Sequence, residues 1–141
     1  MMKTLNLLVL LSINILIANG SMSGDTAYIE TDVTLQTSTG VIYGTLTIPG
    51  KPCKMPVALI IAGSGPTDRD GNNPVMKNNS LKILASELSK KGIASLRYDK
   101  RGVAASKAAV ASEKDLRFDD YVSDAKEWIQ LLKRTTGSQK S

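Results

Sequence analysis

The stretch Pro56-Val57-Ala58-Leu59-Ile60-Ile61-Ala62-Gly63-Ser64-Gly65-Pro66 changes character once, between Ala62 and Gly63. Residues 56–62 run without a polar side chain and are bounded by turn residues, the pattern of a β-strand covered on both faces. Two glycines and a proline among the next four residues end that strand, and a polar loop continues to Asn79. Glycines at such a junction let the backbone turn sharply and aim amide groups at whatever sits above the strand's C-terminal end.

Downstream, Ser80 stands as an N-cap for a helix over residues 80–91, with Leu81, Ile83, Leu84 and Leu88 as its apolar stripe and Gly92 as its stop. Residues 93–98 then read as the next strand. Strand, loop, helix and strand at this spacing form a βαβ unit with a right-handed crossover. Upstream, Ile29, Val33 and Leu35 mark a β-rich stretch, Ser38-Thr39-Gly40 forms a turn, and residues 41–48 return with Ile42, Leu46 and Ile48 on one face. Two prolines and a glycine in residues 49–52 end this antiparallel hairpin. Residues 99–117 are a polar, alanine-rich connection. Asp119 and Asp120 open a second helix reaching Arg134, with Val122, Ala125, Ile129 and Leu132 spaced as one face. The fold class is therefore α/β: an antiparallel hairpin followed by a βαβα unit of a mostly parallel sheet.

The N-terminus is of another kind. Lys3 precedes an apolar stretch over residues 5–17, and Ala18-Asn19-Gly20 supplies small residues, so residues 1–20 read as a signal peptide cleaved before Ser21, with export as its consequence. An uncleaved anchor is the alternative, although the stretch is shorter than the about 20 apolar residues that span a membrane. Residues 21–27 form a flexible lead, residues 28–134 the domain, and residues 135–141 a polar tail.

Composition narrows the chemistry. The 141 residues contain no histidine, which removes the base of a Ser-His-Asp triad and any imidazole metal ligand from this stretch of chain. A single cysteine, Cys53, excludes an intrachain disulfide and multi-thiolate zinc motifs; beside Pro52 it reads as an unpaired loop thiol. The net charge of +5 comes from scattered pairs such as Lys90-Lys91, Lys100-Arg101 and Lys133-Arg134 without interleaved aromatics, a solvated surface and no nucleic-acid footprint.

Several motifs compete for the glycine loop. A phosphate-binding P-loop lacks its Gly-Lys-Ser/Thr, and a dinucleotide GxGxxG has Asp68 at its third glycine. A calcium loop starting at Asp68 would find oxygens at Asp70 and Asn72, but Asn73 replaces its glycine and Asn79 its bidentate glutamate. An oxyanion-hole loop needs small residues that permit close backbone approach, and residues 63–65 qualify. An ordinary turn between strand and helix also accounts for them.

The segments LIIAGSGPTDRDGNN (59–73) and IASLRYDKRGVAAS (93–106), in this order after a hairpin, resemble the N-terminal part of bacterial α/β-hydrolases of the carboxylesterase and serine-aminopeptidase-like type. The resemblance covers residues 28–134. It implies an oxyanion contribution from the loop Gly63, Ser64 and Gly65, with the Ser64 amide as donor and Gly65 as the alternative. It further implies that Asp68, Arg69, Asp70, Asp99 and Arg101 organise loops near the site. The implied substrate is a small carboxylic ester or amide, with no cofactor and no metal. The implied strand order, 1-2-4-3-5 onward, makes the strand at residues 57–62 an exposed edge unless a fifth strand covers it, and an exposed edge invites self-association.

Two departures stand out. Ala104 occupies the second glycine of the family's RGxGxS turn, which costs on the order of 1 kcal/mol if that position takes positive φ. No serine here has glycines two residues before and after it, so a GxSxG elbow, the acid and the histidine would all lie beyond residue 141. Catalytic residues among these 141 are accordingly expected to be none. The alternative is a non-catalytic exported remnant or accessory binding module whose glycine loop is only a turn.

Overall fold

The computed structural model describes residues 28–50 and 54–137, with side chains to residue 134. The expected signal peptide, the lead and Cys53 lie outside the described residues. Strands β1 (Tyr28–Thr37) and β2 (Gly40–Pro49) pair antiparallel from Tyr28 opposite Pro49 to Thr37 opposite Gly40, closed by Ser38 and Thr39. Strand β3 (Val57–Ile60), helix α1 (Ser80–Lys90), strand β4 (Ala94–Tyr98) and helix α2 (Phe118–Gly137) follow. Sheet order is β1-β2-β4-β3, with β4 antiparallel to β2 and parallel to β3. The chain is thus α/β with a mixed four-stranded sheet, and the order agrees with that expected.

The covered strand is β4, not β3. All five β4 residues are buried, because β4 has neighbours on both sides and helices over both faces. Alternation along β4 divides it. Leu96 and Tyr98 join Leu35, Ile42, Trp128 and Leu132 in a core beneath α2, whereas Arg97 points to the α1 face, where it meets Asp70. Strand β3 is shorter than the apolar run predicts. It sits at the sheet edge with Val57, Ala58 and Leu59 half-buried, and Ile61 beyond it is 53% exposed.

Both helices keep part of the expected apolar face, with Leu132 buried and Val122 and Ala125 half-buried on α2, and turn the rest of it outward. In α1 the residues against the sheet are Ala85 and Ser89, flanked by half-buried Leu81 and Leu88, while Ile83 and Leu84 face outward. Small side chains let the helix approach closely, and Ser89 satisfies its hydroxyl on the Ser86 carbonyl at 2.7 Å. Ser80 is the first helical residue rather than the cap. Asn79 precedes it in the left-handed region (φ 52°), and the Leu81 and Lys82 amides donate to the Asp70 carbonyl at 3.1 and 3.3 Å. In α2, Asp124, Trp128 and Leu132 point inward and Ile129 is exposed. The helix also continues to Gly137, into the expected tail.

Trp128 is wholly buried, its ring 5.7 Å from that of Tyr98. Gly44 on β2 makes room for it, since a Cβ there would stand 3.3 Å from the indole and 3.1 Å from the Arg97 carbonyl. The alanine-rich connection contains two short 3₁₀ turns, Ala104–Ala109 and Glu113–Asp115. Among the described residues no helix is long and apolar enough to cross a membrane.

Candidate functional site

The C-terminal ends of β3 and β4 lie side by side because the strands are parallel. Three consecutive residues leaving β4 go to three different places. Asp99, 2% exposed, accepts the Arg69 amide at 2.7 Å and the Ala105 amide at 3.2 Å, with the Arg69 Nε 3.9 Å away. Burial pushes its carboxyl above the ordinary value, and the two amides and the Arg69 charge pull in the other direction. Lys100 reaches sideways to the glycine loop and donates to the Gly63 carbonyl and, at 3.3 Å, to the Gly65 carbonyl. Loss of hydration lowers its ammonium pKa. Arg101 turns the opposite way, to Asp124 on α2, through a two-pronged pair at 2.7 and 2.6 Å. Its remaining nitrogen donates to Thr39 Oγ1 and the Ala109 carbonyl, tying the hairpin turn to the same point.

The glycine loop itself is exposed from residue 63 to 66. Gly65 has φ 82°, a conformation side chains rarely adopt, whereas a Cβ at Gly63 would meet nothing. Among the described residues, neither the Ser64 nor the Gly65 amide donates to a protein acceptor. Two carbonyls of this loop are therefore held toward Lys100, and two amides are free.

The loop that follows is a hydrogen-bonded knot. Asp68 Oδ1 accepts the amides of Asp70 (2.9 Å) and Asn72 (2.8 Å). Asn72 Oδ1 in turn accepts those of Asn78 and Asn79, each at 3.0 Å. Gly71 has φ 93°, and a Cβ there would stand 3.0 Å from the Leu81 amide nitrogen. Asp70 Oδ1 accepts from Arg97 Nε at 3.0 Å, and the buried guanidinium also donates to Thr47 Oγ1 and Glu30 Oε1, each at 2.8 Å. The Asp68 and Asp70 carboxylates are thus occupied by loop amides and a guanidinium, which disfavours the calcium-loop alternative on this chain's own geometry.

Ala104 has φ 43°, so the position that departs from the family's glycine does take the left-handed conformation. The turn is held nevertheless. Ser106, fully buried, accepts the Tyr43 amide at 2.9 Å, and its carbonyl accepts Gly102 N–H at 3.1 Å.

The structure brings Asp68, Arg69, Asp70 and Asp99 together around one loop and places Arg101 on the other side of β4. Arg97, Lys100, Ser106 and Asp124 were not among the residues expected at the site. A signal was present for two of them: Arg97 sits between Leu96 and Tyr98 in a buried strand, and Asp124 lies one turn before Trp128, positions where a charge needs a partner. A shallow groove of about 290 Å³ runs between β3 and α2, lined by Met55, Val57, Leu59, Ile129, Leu132 and Lys133. It follows the β3 edge and is not formed by the glycine loop.

Fold and site together define an α/β chain whose polar side chains organise the loops at one end of its sheet. No family model matches the sequence, and no curated protein matches it. Among solved structures the chain is similar to α/β hydrolases. One is a cold-adapted esterase from an Arctic intertidal metagenomic library, with 16% identity over 66% of this chain and 38% of that one, at a TM-score of 0.44. Another is the α/β hydrolase GrgF from Penicillium sp. sh18, with 26% identity over 55% and 23% and a TM-score of 0.39. A third is XC6422 from Xanthomonas campestris, described as an a/b serine hydrolase without lid, with 24% identity over 62% and 37% and a TM-score of 0.40. The chain spans well under half the length of each.

Proposed function

We propose that this chain carries the oxyanion-binding part of an α/β-hydrolase acting on carboxylic esters or amides. The observation that carries the reading is the pair of free, exposed amides at Ser64 and Gly65, sited where β3 ends and backed by carbonyls drawn toward Lys100. Acyl transfer builds negative charge on the substrate carbonyl oxygen, and fixed N–H donors stabilise it without reorganising during the reaction. Asp68, Arg69, Asp70, Asp99 and Arg101 hold the surrounding loops and do not touch the reacting atoms. The serine nucleophile, the acid and the histidine come from outside these 141 residues, which contain neither a GxSxG elbow nor a histidine. Export through residues 1–20 and self-association along the free β3 edge belong to the same proposal.

The test is hydrolysis of p-nitrophenyl acyl esters by the purified chain and by the chain extended through any in-frame downstream sequence that supplies GxSxG and histidine. The expected result is turnover blocked by a serine-directed phosphonate in the extended protein only. Phosphonate-sensitive turnover by the 141 residues alone would overturn the division of labour. An inactive extended protein would favour a non-catalytic module.

A further inference from the structure

Two amides of the glycine loop, Ser64 and Gly65, are open to an anion, and the contacts of Lys100 distinguish them. A trans peptide is planar, with its C=O and its N–H on opposite sides, and the described chain contains no cis bond. The Gly63 carbonyl and the Ser64 N–H belong to one such plane. Lys100 Nζ donates to that carbonyl, so the Ser64 N–H is turned away from Lys100. The second carbonyl that Lys100 holds, Gly65, shares its plane with the nitrogen of Pro66, which carries no hydrogen. The Gly65 N–H belongs instead to the plane of the Ser64 carbonyl, which has no protein donor among the described residues.

We propose that Lys100 is a positioning residue, which by holding the Gly63 carbonyl fixes the Ser64 amide as the anion donor of the loop and leaves the Gly65 amide unpinned. The proposal rests on the hydrolase reading for its ligand, the oxyanion of a carboxylic ester or amide. It does not depend on that reading for the ordering of the loop. The Lys100 ammonium has no other hydrogen-bond partner among the described residues, so the two loop carbonyls are where it is held. Lys100 also lies next to Asp99, whose carboxylate is already engaged by the Arg69 and Ala105 amides.

Amide relaxation of the ¹⁵N-labelled chain tests this. The Ser64 N–H is expected to be ordered, with an order parameter near about 0.85, and the Gly65 N–H to be lower. Lys100→Met should drop Ser64 toward the flexible range, below about 0.6, while Lys100→Arg, which still donates, retains the order. With phenylphosphonate as the anion probe, the Ser64 cross-peak should shift more than that of Gly65, and Lys100→Met should abolish the difference. The Trp128 indole signal reports that the core stays folded. If Lys100→Met loses it, the wild-type contrast between Ser64 and Gly65, and its retention in Lys100→Arg, still decide. A Ser64 amide as mobile as Gly65, one equally ordered in Lys100→Met, or a larger response at Gly65 would overturn the proposal. Order without ester turnover in an extended enzyme would refute the hydrolase reading and leave Lys100 as the residue that orders the loop.

Discussion

Replacing Asp124 by alanine should be among the most damaging single changes in this chain. Asp124 is fully buried on α2, and its two oxygens take two nitrogens of Arg101, whose side chain is only 10% exposed. The loss is not merely that of a salt bridge. Removing the carboxylate leaves a guanidinium, always charged, in a place from which water is largely excluded, and breaking a buried pair in this way costs about 3–5 kcal/mol. Small domains have about 5–15 kcal/mol in total, so a large part of the stability disappears. Urea unfolding followed by fluorescence of Trp128, the single tryptophan, reads the change directly. At a slope of about 1.5 kcal/mol per molar, the midpoint should fall by about 2–3 M. The pair Asp124→Leu with Arg101→Met should be markedly less destabilised than the sum of the single variants, because no charge is then left unpaired. A midpoint shift below about 0.5 M for Asp124→Ala, little beyond what an exposed pair gives, would show instead that water reaches the Arg101 guanidinium and that the pair behaves as an exposed one.

Gly71→Ala should cost about 1–3 kcal/mol, since the new methyl meets the first turn of α1 and the backbone has positive φ; a thermal melt shows it as a lowered Tm. Ala104→Gly should act oppositely, relieving the φ of 43° and raising stability by up to about 1 kcal/mol, and a Tm at or below that of the parent would count against strain there. Burial, and secondarily the Asp124 charge, push the Tyr98 phenol from 10.0 up to about 12. Because the folded-state value is the higher one, stability is intact below pH 10 and falls as pH rises toward 12, at up to about 1.4 kcal/mol per pH unit. Tyr98→Phe should lose this part of the alkaline decline, and identical Tm profiles for the two proteins would contradict the assignment.

The element order was legible in the sequence, because the hairpin, the unbroken apolar run of residues 56–62 and the helical spacing after Ser80 each carry a local signal. Which strand is covered was not legible in the local pattern. The apolar run by itself promised a strand buried on both faces, whereas β3 is the edge that the strand order implied by the resemblance allowed for, and β4, with Ser95 and Arg97 inside it, is the central strand. Hydrophobicity alone cannot see that a buried arginine is acceptable when Glu30, Thr47 and Asp70 converge on it from three other elements. For the same reason the helix faces were placed only in part: Leu132 is buried and Leu81, Leu88, Val122 and Ala125 half-buried as expected, but Ala85, Ser89 and Asp124 also pack inward through close approach or pairing, and the larger Ile83, Leu84 and Ile129 do not. In the candidate site, the glycine loop was readable as a break after a strand. Lys100 was not, since its role depends on a carbonyl 37 residues away in sequence.

Whether an N–H of the glycine loop stabilises an oxyanion is decided by the steady-state rate on p-nitrophenyl acetate of the chain extended through any in-frame downstream sequence that supplies GxSxG and histidine. The comparison is with the same protein carrying Ser64→Pro, which removes that N–H while keeping the Gly63 carbonyl for Lys100. A loss in kcat of about 10²–10³-fold, with KM little changed, is the expected result. Unchanged kcat in Ser64→Pro would contradict it.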